Sequence, residues 1–104
     1  MLSSYYGYNL FLFCLELTKD VINMASKSNY LLRRWMSLCH HLELDSEEHT
    51  IRMHLATNPQ DSSMPIIHLL KAWKEQNPKQ ATVGNLIKNL RELKANELAG
   101  KLND

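Results

Sequence analysis

The sequence contains few of the residues that interrupt helices or crosslink small domains. Only three glycines, three prolines and two cysteines occur among its 104 residues. Scarce glycine and proline favour long helical segments over many short strands joined by turns. The length is sufficient for one domain and too short for two. We therefore expect a single domain over residues 1–104, with a core drawn from the 44% hydrophobic fraction.

A large net charge is also missing, since the formal net charge is +1 at neutral pH. This value argues against the extended positive field that grips nucleic acid or an anionic membrane surface. The charges are nevertheless distributed unevenly along the chain. Residues 31–60 are mildly acidic, with clustered carboxylates, and the residues after them are mildly basic.

No apolar run is long enough to span a bilayer. The most apolar stretch, from Leu10 to Leu15, has no basic residues before it and is followed at once by Glu16. It also lacks a small-residue cleavage site, so we interpret it as a buried helix of a cytoplasmic protein and not as a secretion signal. Cys14 and Cys39 lie within apolar runs, which is typical of buried free thiols in a reducing compartment, with a disulfide as the alternative.

No arrangement of residues indicates an enzyme. The three glycines stand apart from one another, so there is no phosphate-binding loop. Cys39, His40 and His41 are adjacent, and neighbours on a helix point in different directions and cannot all reach one metal ion. His49 and His54 lack the four-residue spacing of a helical metal pair. We expect no catalytic site, no metal, no cofactor and no small-molecule substrate.

Apolar residues recur at spacings of three and four along most of the chain, which predicts an all-α bundle. Thr82 is a predicted N-cap, and Asp45 is another, with Glu48 reaching back as in a capping box. The stretch Asp61–Ser63 offers a further cap, with Pro65 in the first turn. Prolines 59 and 78 end two segments because the residue before proline disfavours helical geometry. The predicted helices cover residues 9–25, 31–42, 46–56, 63–76, 82–93 and 95–102.

The first predicted helix has one apolar face and no strand is predicted beside it. The residues of that face are Leu10, Phe13, Cys14, Leu17, Val21 and Met24.

Two segments that contain tryptophan follow the residue spacing of a known helical family. The segment Trp35–Asp45 has a tryptophan, two residues, a leucine, three residues, another leucine, and then a hydrophobic residue and a capping residue, like the family's second helix. Leu70–Lys74 resembles the fourth helix with its tryptophan, and Ala81–Val83 with the leucines after it resembles the fifth and sixth. These segments resemble the death domain family. The resemblance covers about Arg33 to Leu102, and the part from Leu70 onward is most similar to the death domains of Fas-associated adaptors.

The resemblance implies an antiparallel six-helix Greek-key bundle and a non-catalytic, homotypic interaction module. It further implies a cytosolic signalling adaptor in apoptosis or innate immunity, whose partners are other death-domain proteins such as an upstream adaptor or receptor, with self-assembly in addition. The core that it implies consists of Trp35, Leu38, Leu42, Ile51, Leu70, Trp73, Leu86 and Leu90.

Partner binding is then expected at charged surfaces, where opposite signs on one domain suit head-to-tail contacts. Arg33 and Arg34 precede Trp35, whereas adaptors of the family have a basic pair after that tryptophan. Carboxylates near residue 45 also suit a helix start without any partner. The candidate partner-binding residues are Arg33, Arg34, Glu43, Asp45, Glu47, Glu48, Arg52, Lys71, Lys74, Lys88 and Arg91.

Two alternatives remain at this point. The first is a death domain from a receptor tail, a kinase or a scaffold. The second is a helical nucleic-acid-binding domain that uses the basic last two helices. Lysine and glutamate alternate along those helices, and the net charge is near zero, which both count against nucleic acid.

Overall fold

The structure is a computed structural model that describes residues 15–103 and the backbone of residues 4–5 and 8–9. Two short strands, β1 (Ser4–Tyr5) and β2 (Tyr8–Asn9), form an antiparallel pair. The first predicted helix included residue 9, which lies in β2, and residues 10–14 lie outside the described residues.

Within the described residues the chain forms seven α-helices and one short 3₁₀ helix, which confirms the prediction of an all-α fold. The 3₁₀ helix, Asp45–Glu47, leads directly into the fourth α-helix. The α-helices are α1 (Lys19–Ser26), α2 (Asn29–Leu32), α3 (Trp35–His41), α4 (Glu48–Thr57), α5 (Met64–Gln76), α6 (Val83–Glu92) and α7 (Asn96–Asn103).

Helix α1 begins at Lys19, ten residues later than predicted. Thr18 caps it, and its side-chain oxygen accepts a hydrogen bond from the Val21 amide at 3.3 Å. The residues before the cap are extended, because the Leu15 carbonyl accepts from the Val83 amide at 3.0 Å and draws this segment against α6. The prediction assumed one unbroken helical period and therefore placed Met24 on the buried face, where it is instead 43% exposed.

The predicted second helix is two helices, α2 and α3, separated by a turn at Arg33 and Arg34. The Arg34 amide donates to the Leu31 carbonyl at 2.9 Å, and Arg34 itself leaves the helical region at φ −119° and ψ 28°. Leu31 and Leu38 are both fully buried on either side of the turn. The apolar spacing therefore continues across the break and gives no sign of it.

Asp45 does not act as an N-cap, contrary to the prediction. Neither the 3₁₀ helix nor α4 has a side-chain capping hydrogen bond. The 3₁₀ turn places Asp45 three residues before α4, and its carboxylate bonds to Nδ1 of His40 instead. Ser63 also occupies a cap position without a capping bond, while Pro65 lies in the first turn of α5 as predicted.

The core is formed by the inward faces of the helices, and most of its predicted members are buried. The exception is Trp35, which is only partly buried and packs against the edge of the core. The predicted residues that are buried are Leu38, Leu42, Ile51, Leu70, Trp73, Leu86 and Leu90.

The structure confirms the prediction that Thr82 is the N-cap of α6. Its hydroxyl accepts from the Asn85 amide at 3.2 Å, at the start of α6, and the residue is buried. We expect Thr82→Ala to lower the free energy of unfolding by about 1 kcal/mol, because a free amide of the first turn loses its acceptor. Urea unfolding followed by circular dichroism measures this change. Thr82→Ser, which retains the hydroxyl, should recover most of it, and equal losses in both variants would contradict the capping argument.

Candidate functional site

Four of the predicted binding residues, Glu43, Asp45, Glu47 and Glu48, lie together where α3 turns into α4; we call them the acidic corner. Glu48 Oε2 accepts from Arg52 Nε at 2.9 Å, and its Oε1 lies 3.5 Å from His40 Nε2. With the contact between Asp45 and the same histidine, two of the four carboxylates are already engaged on the surface of the domain.

Glu47 is engaged more deeply than the rest of the acidic corner. Its Oε1 lies 2.7 Å from Nε2 of His68, and Gln76 Nε2 donates to its other oxygen at 3.5 Å. The side chains of Glu47 and His68 are only 22% and 29% exposed. This pair therefore ties the 3₁₀ helix to α5, and Glu47 contributes to the structure of the corner more than to its outer surface.

Glu43 is the member of the acidic corner that remains available. It is exposed, and none of the described residues forms an ion pair with it. It lines a cleft of about 330 Å³ between the ends of α3 and α5 and one side of α6. Lys88 lines the same cleft, so an acidic and a basic candidate residue face one concave surface.

The basic candidates on α5 and α6 also differ in their surroundings. Lys74 Nζ donates to the Leu17 carbonyl at 2.7 Å, which holds the extended segment before α1. Lys71 and Lys88 are exposed and have no ion-pair partner within residues 15–103, whereas Arg91 is partly buried on α6. Lys71 and Lys88 can therefore meet a partner without breaking an existing bond.

The three candidate arginines outside α6 differ in their surroundings. Arg34 stacks over the ring of Tyr30 at 3.7 Å from its centroid. Arg52 lies 5.9 Å from the Trp35 ring centroid, in addition to its pairing with α4. Arg33 is exposed, at the turn between α2 and α3. Cation–π contacts of this kind hold a guanidinium in place and leave one of its faces accessible.

Cys39 does not have the environment of a nucleophile. Its side chain is fully buried, and its thiol donates to the Leu44 carbonyl at 2.9 Å. Burial, together with the nearby carboxylates of Asp45, Glu48 and Glu47, raises the pKa of the Cys39 thiol to about 11. The thiol is therefore protonated at neutral pH. Cys14 lies outside the described residues.

Histidines are the partners that sequence reasoning missed. Besides His40 and His68, His54 lies 3.0 Å from Asp61, and His41 lies 3.7 Å from Glu92. The pairs of His41 and His68 join residues more than twenty positions apart, and the other pairs lack the three- or four-residue spacing of neighbours on a helix, so the sequence gives no signal for them. Among the described residues no group of three or more histidines, cysteines or carboxylates could hold a metal ion, and no described helix has the length and apolar character needed to cross a bilayer.

The comparison with protein families matches one model, described as the death domain, over residues 18–104. No curated protein and no solved structure gave a significant match. The matched region contains all of α1 to α7 up to Asn103, and the helical bundle fits the all-α fold of the family. Death domains are in general non-catalytic modules that associate with other death domains. The chain belongs to the death domain family.

Proposed function

We propose that this chain is the homotypic interaction domain of a cytoplasmic signalling adaptor, acting in apoptosis or innate immunity. Membership of the death domain family supports association with other death domains, including an upstream adaptor or receptor. The similarity of the segment from Leu70 to Leu102 to Fas-associated adaptors supports the adaptor role. The domain itself carries no reaction and works by bringing its partners together.

The observation that carries the proposal is a division among the predicted binding residues. Glu43, Arg33, Lys71 and Lys88 are exposed and form no ion pair within residues 15–103. An exposed charge of this kind can pair with a partner without losing an internal contact. We assign direct partner contacts to these four residues.

The remaining candidates have a supporting role in this proposal. Six of them make contacts inside the domain, and a partner would have to compete with those contacts. They fix the shape of the surfaces that present the four available charges. Arg91 lies three residues after Lys88 in α6 and therefore on the same side of that helix. The six are Arg34, Asp45, Glu47, Glu48, Arg52 and Lys74.

Charge reversal tests the assignment. We expect Glu43→Lys and Lys71→Glu each to reduce capture of death-domain proteins from a cytosolic lysate about ten-fold, because like charges then face each other across the interface. Captured proteins are identified by mass spectrometry and their amounts compared with those bound by the native chain. Capture by the native chain should also decrease steeply between low and physiological salt, since exposed charges are screened.

The control is Lys79→Glu, which reverses an exposed charge outside the candidate set. Equal losses with this variant would reduce the result to a general effect of net charge. Capture of no death-domain protein by the native chain would contradict the homotypic proposal. If a receptor or a kinase dominated the captured proteins, the chain would be assigned as a binding partner of that receptor or kinase, and the adaptor role would be dropped. A shift of labelled DNA or RNA at low salt would support the nucleic-acid alternative.

A further inference from the structure

A second concave surface on the described part of the chain lies away from the acidic corner. It is a groove of about 660 Å³ between α1 and the turn that leads into α7. One wall carries Met24 and Lys27, and the other carries Lys94, Leu98 and Lys101. The proposed homotypic contacts use none of these residues, so the groove is not explained by them.

Part of the lining of the groove is apolar and exposed. Met24 is 43% exposed and Tyr30 is 36% exposed, and both face the groove. The Tyr30 hydroxyl donates to the Leu93 carbonyl at 3.0 Å, which fixes the ring across one end of the groove. Leu98 and Ala95 form a buried part of the lining. A bulky apolar side chain could therefore be buried here with a net gain from the area removed from water.

The rim of the groove is basic on both walls. Lys27 on one side and Lys94 on the other form no ion pair within residues 15–103. Lys101 lies 3.5 Å from Glu97, and both of these side chains are largely exposed, so that pair is weak. Asp20 is the other carboxylate at the groove. Lys27 and Lys94 therefore place two exposed ammonium groups at one groove, which complements a ligand that carries carboxylates.

Lys94 has a backbone conformation that its residue type does not favour. Its φ is 66°, in the left-handed region where a side chain costs energy that glycine avoids. A non-glycine residue in such a conformation is a reason to look for a function of its side chain. Here the side chain is a lysine at the edge of the groove.

We propose that this groove binds an extended acidic peptide segment carrying one bulky apolar side chain. The apolar side chain lies against Met24 and Tyr30, and the flanking carboxylates meet Lys27 and Lys94. A second copy of this chain fits less well, because the apolar residue of its acidic corner, Leu44, is 1% exposed and cannot be inserted. The partner is a flexible acidic segment of another protein, and its binding is separate from death-domain association.

A labelled probe tests this proposal directly. The probe is a fluorescein-labelled nonapeptide with a central leucine and four glutamates on each side, titrated with the whole chain at low salt. We expect binding by fluorescence anisotropy, weakened about ten-fold when the leucine is replaced by serine, and weakened similarly when the glutamates are replaced by glutamines. The absence of binding up to about 1 mM protein, a free energy of association near 4 kcal/mol, would overturn the proposal.

Variants of the groove identify where the probe binds. Lys27→Glu/Lys94→Glu should lower the affinity at least ten-fold, whereas Lys71→Glu/Lys79→Glu, a matched double reversal outside the groove, should lower it less than three-fold. Both lysine pairs are exposed, and circular dichroism and urea unfolding check that each variant is folded. Equal affinities for the two double variants would overturn the proposal. So would a groove variant that binds the probe normally but loses self-association in sedimentation, since the groove would then be a contact between copies.

The variants distinguish a failure of the proposed function from a failure of the proposed peptide site. The groove variant Lys27→Glu/Lys94→Glu should still capture death-domain proteins at native levels. Glu43→Lys should in turn bind the acidic probe like the native chain.

Discussion

Trp73→Ala is expected to lower the free energy of unfolding by about 3–5 kcal/mol, the range for removing a large aromatic side chain from a core. Trp73 is 5% exposed in α5, and its neighbours Leu69 and Leu70 are fully buried. Domains of this size are stable by about 5–15 kcal/mol, so the variant should retain only part of the native stability. Urea unfolding followed by circular dichroism at 222 nm gives the value.

Trp35→Ala is the matched control and should cost less, about 1–2 kcal/mol. The sequence pattern treats the two tryptophans as equivalent, but Trp35 is only partly buried and lies at the edge of the core. Its loss removes a smaller apolar area and the contact with Arg52 at 5.9 Å, which is worth about 0.5–1 kcal/mol at an exposed site. A larger loss in Trp35→Ala than in Trp73→Ala would contradict the difference in burial.

Local signals in the sequence predict those features of the fold that depend on neighbouring residues. Thr82 caps α6 because its hydroxyl reaches an amide three residues later, and this needs no knowledge of the rest of the chain. Helix α4 ends at Thr57, two residues before Pro59, for an equally local reason. The spacing of Leu86 and Leu90 likewise identifies the buried face of α6 correctly.

Features that depend on distant contacts could not be predicted in this way. The start of α1 follows from the contact of Leu15 with Val83 and from the bond of Lys74 to Leu17, both of which join parts of the chain more than fifty residues apart. A run of apolar residues leading into α1 instead indicates one longer helix. The spacing of apolar residues alone cannot distinguish a buried extended segment from a buried helical segment.

The same limit applies to the candidate site. The sequence places Glu43 and Glu47 in one acidic cluster, and the structure brings them close together. Whether each is free depends on residues far along the chain, such as His68 on α5, twenty-one residues after Glu47. The distinction between available and engaged charges is therefore a tertiary property, although it decides which variants are informative about binding.

Glu43→Gly/Lys94→Gly is expected to raise the free energy of unfolding by about 1–2 kcal/mol. Both residues follow a helix in the left-handed conformation, at φ 58° and 66°. A side chain in this conformation destabilises the folded state by about 1–2 kcal/mol per residue. Glycine removes this cost, but roughly half of the gain in stability is lost because glycine also gives the unfolded chain more conformational freedom. The double variant should therefore unfold at a higher urea concentration, with the same dependence on urea.

The motif that follows α6 explains why glycine fits at this position. The amides of Lys94 and Ala95 donate to the carbonyls of Arg91 and Leu90, at 3.1 and 2.8 Å, and close the helix in a Schellman motif. These bonds need only the backbone, so glycine keeps them. Lys88→Gly is the control, because Lys88 lies inside α6, where glycine should lower the stability by about 1 kcal/mol. If Glu43→Gly/Lys94→Gly and Lys88→Gly changed the free energy of unfolding in the same direction, the conformational argument would be contradicted.

The stabilised variant also separates stability from binding. If Glu43 and Lys94 are retained for their charges, the double glycine variant should be more stable and yet weaker in both assays, death-domain capture through the loss of Glu43 and probe binding through the loss of Lys94. A gain in stability with native binding in both assays would mean that neither strained position serves a partner. Reduced binding in only one assay would assign a function to the corresponding residue alone, since the two side chains lie on different concave surfaces of the domain.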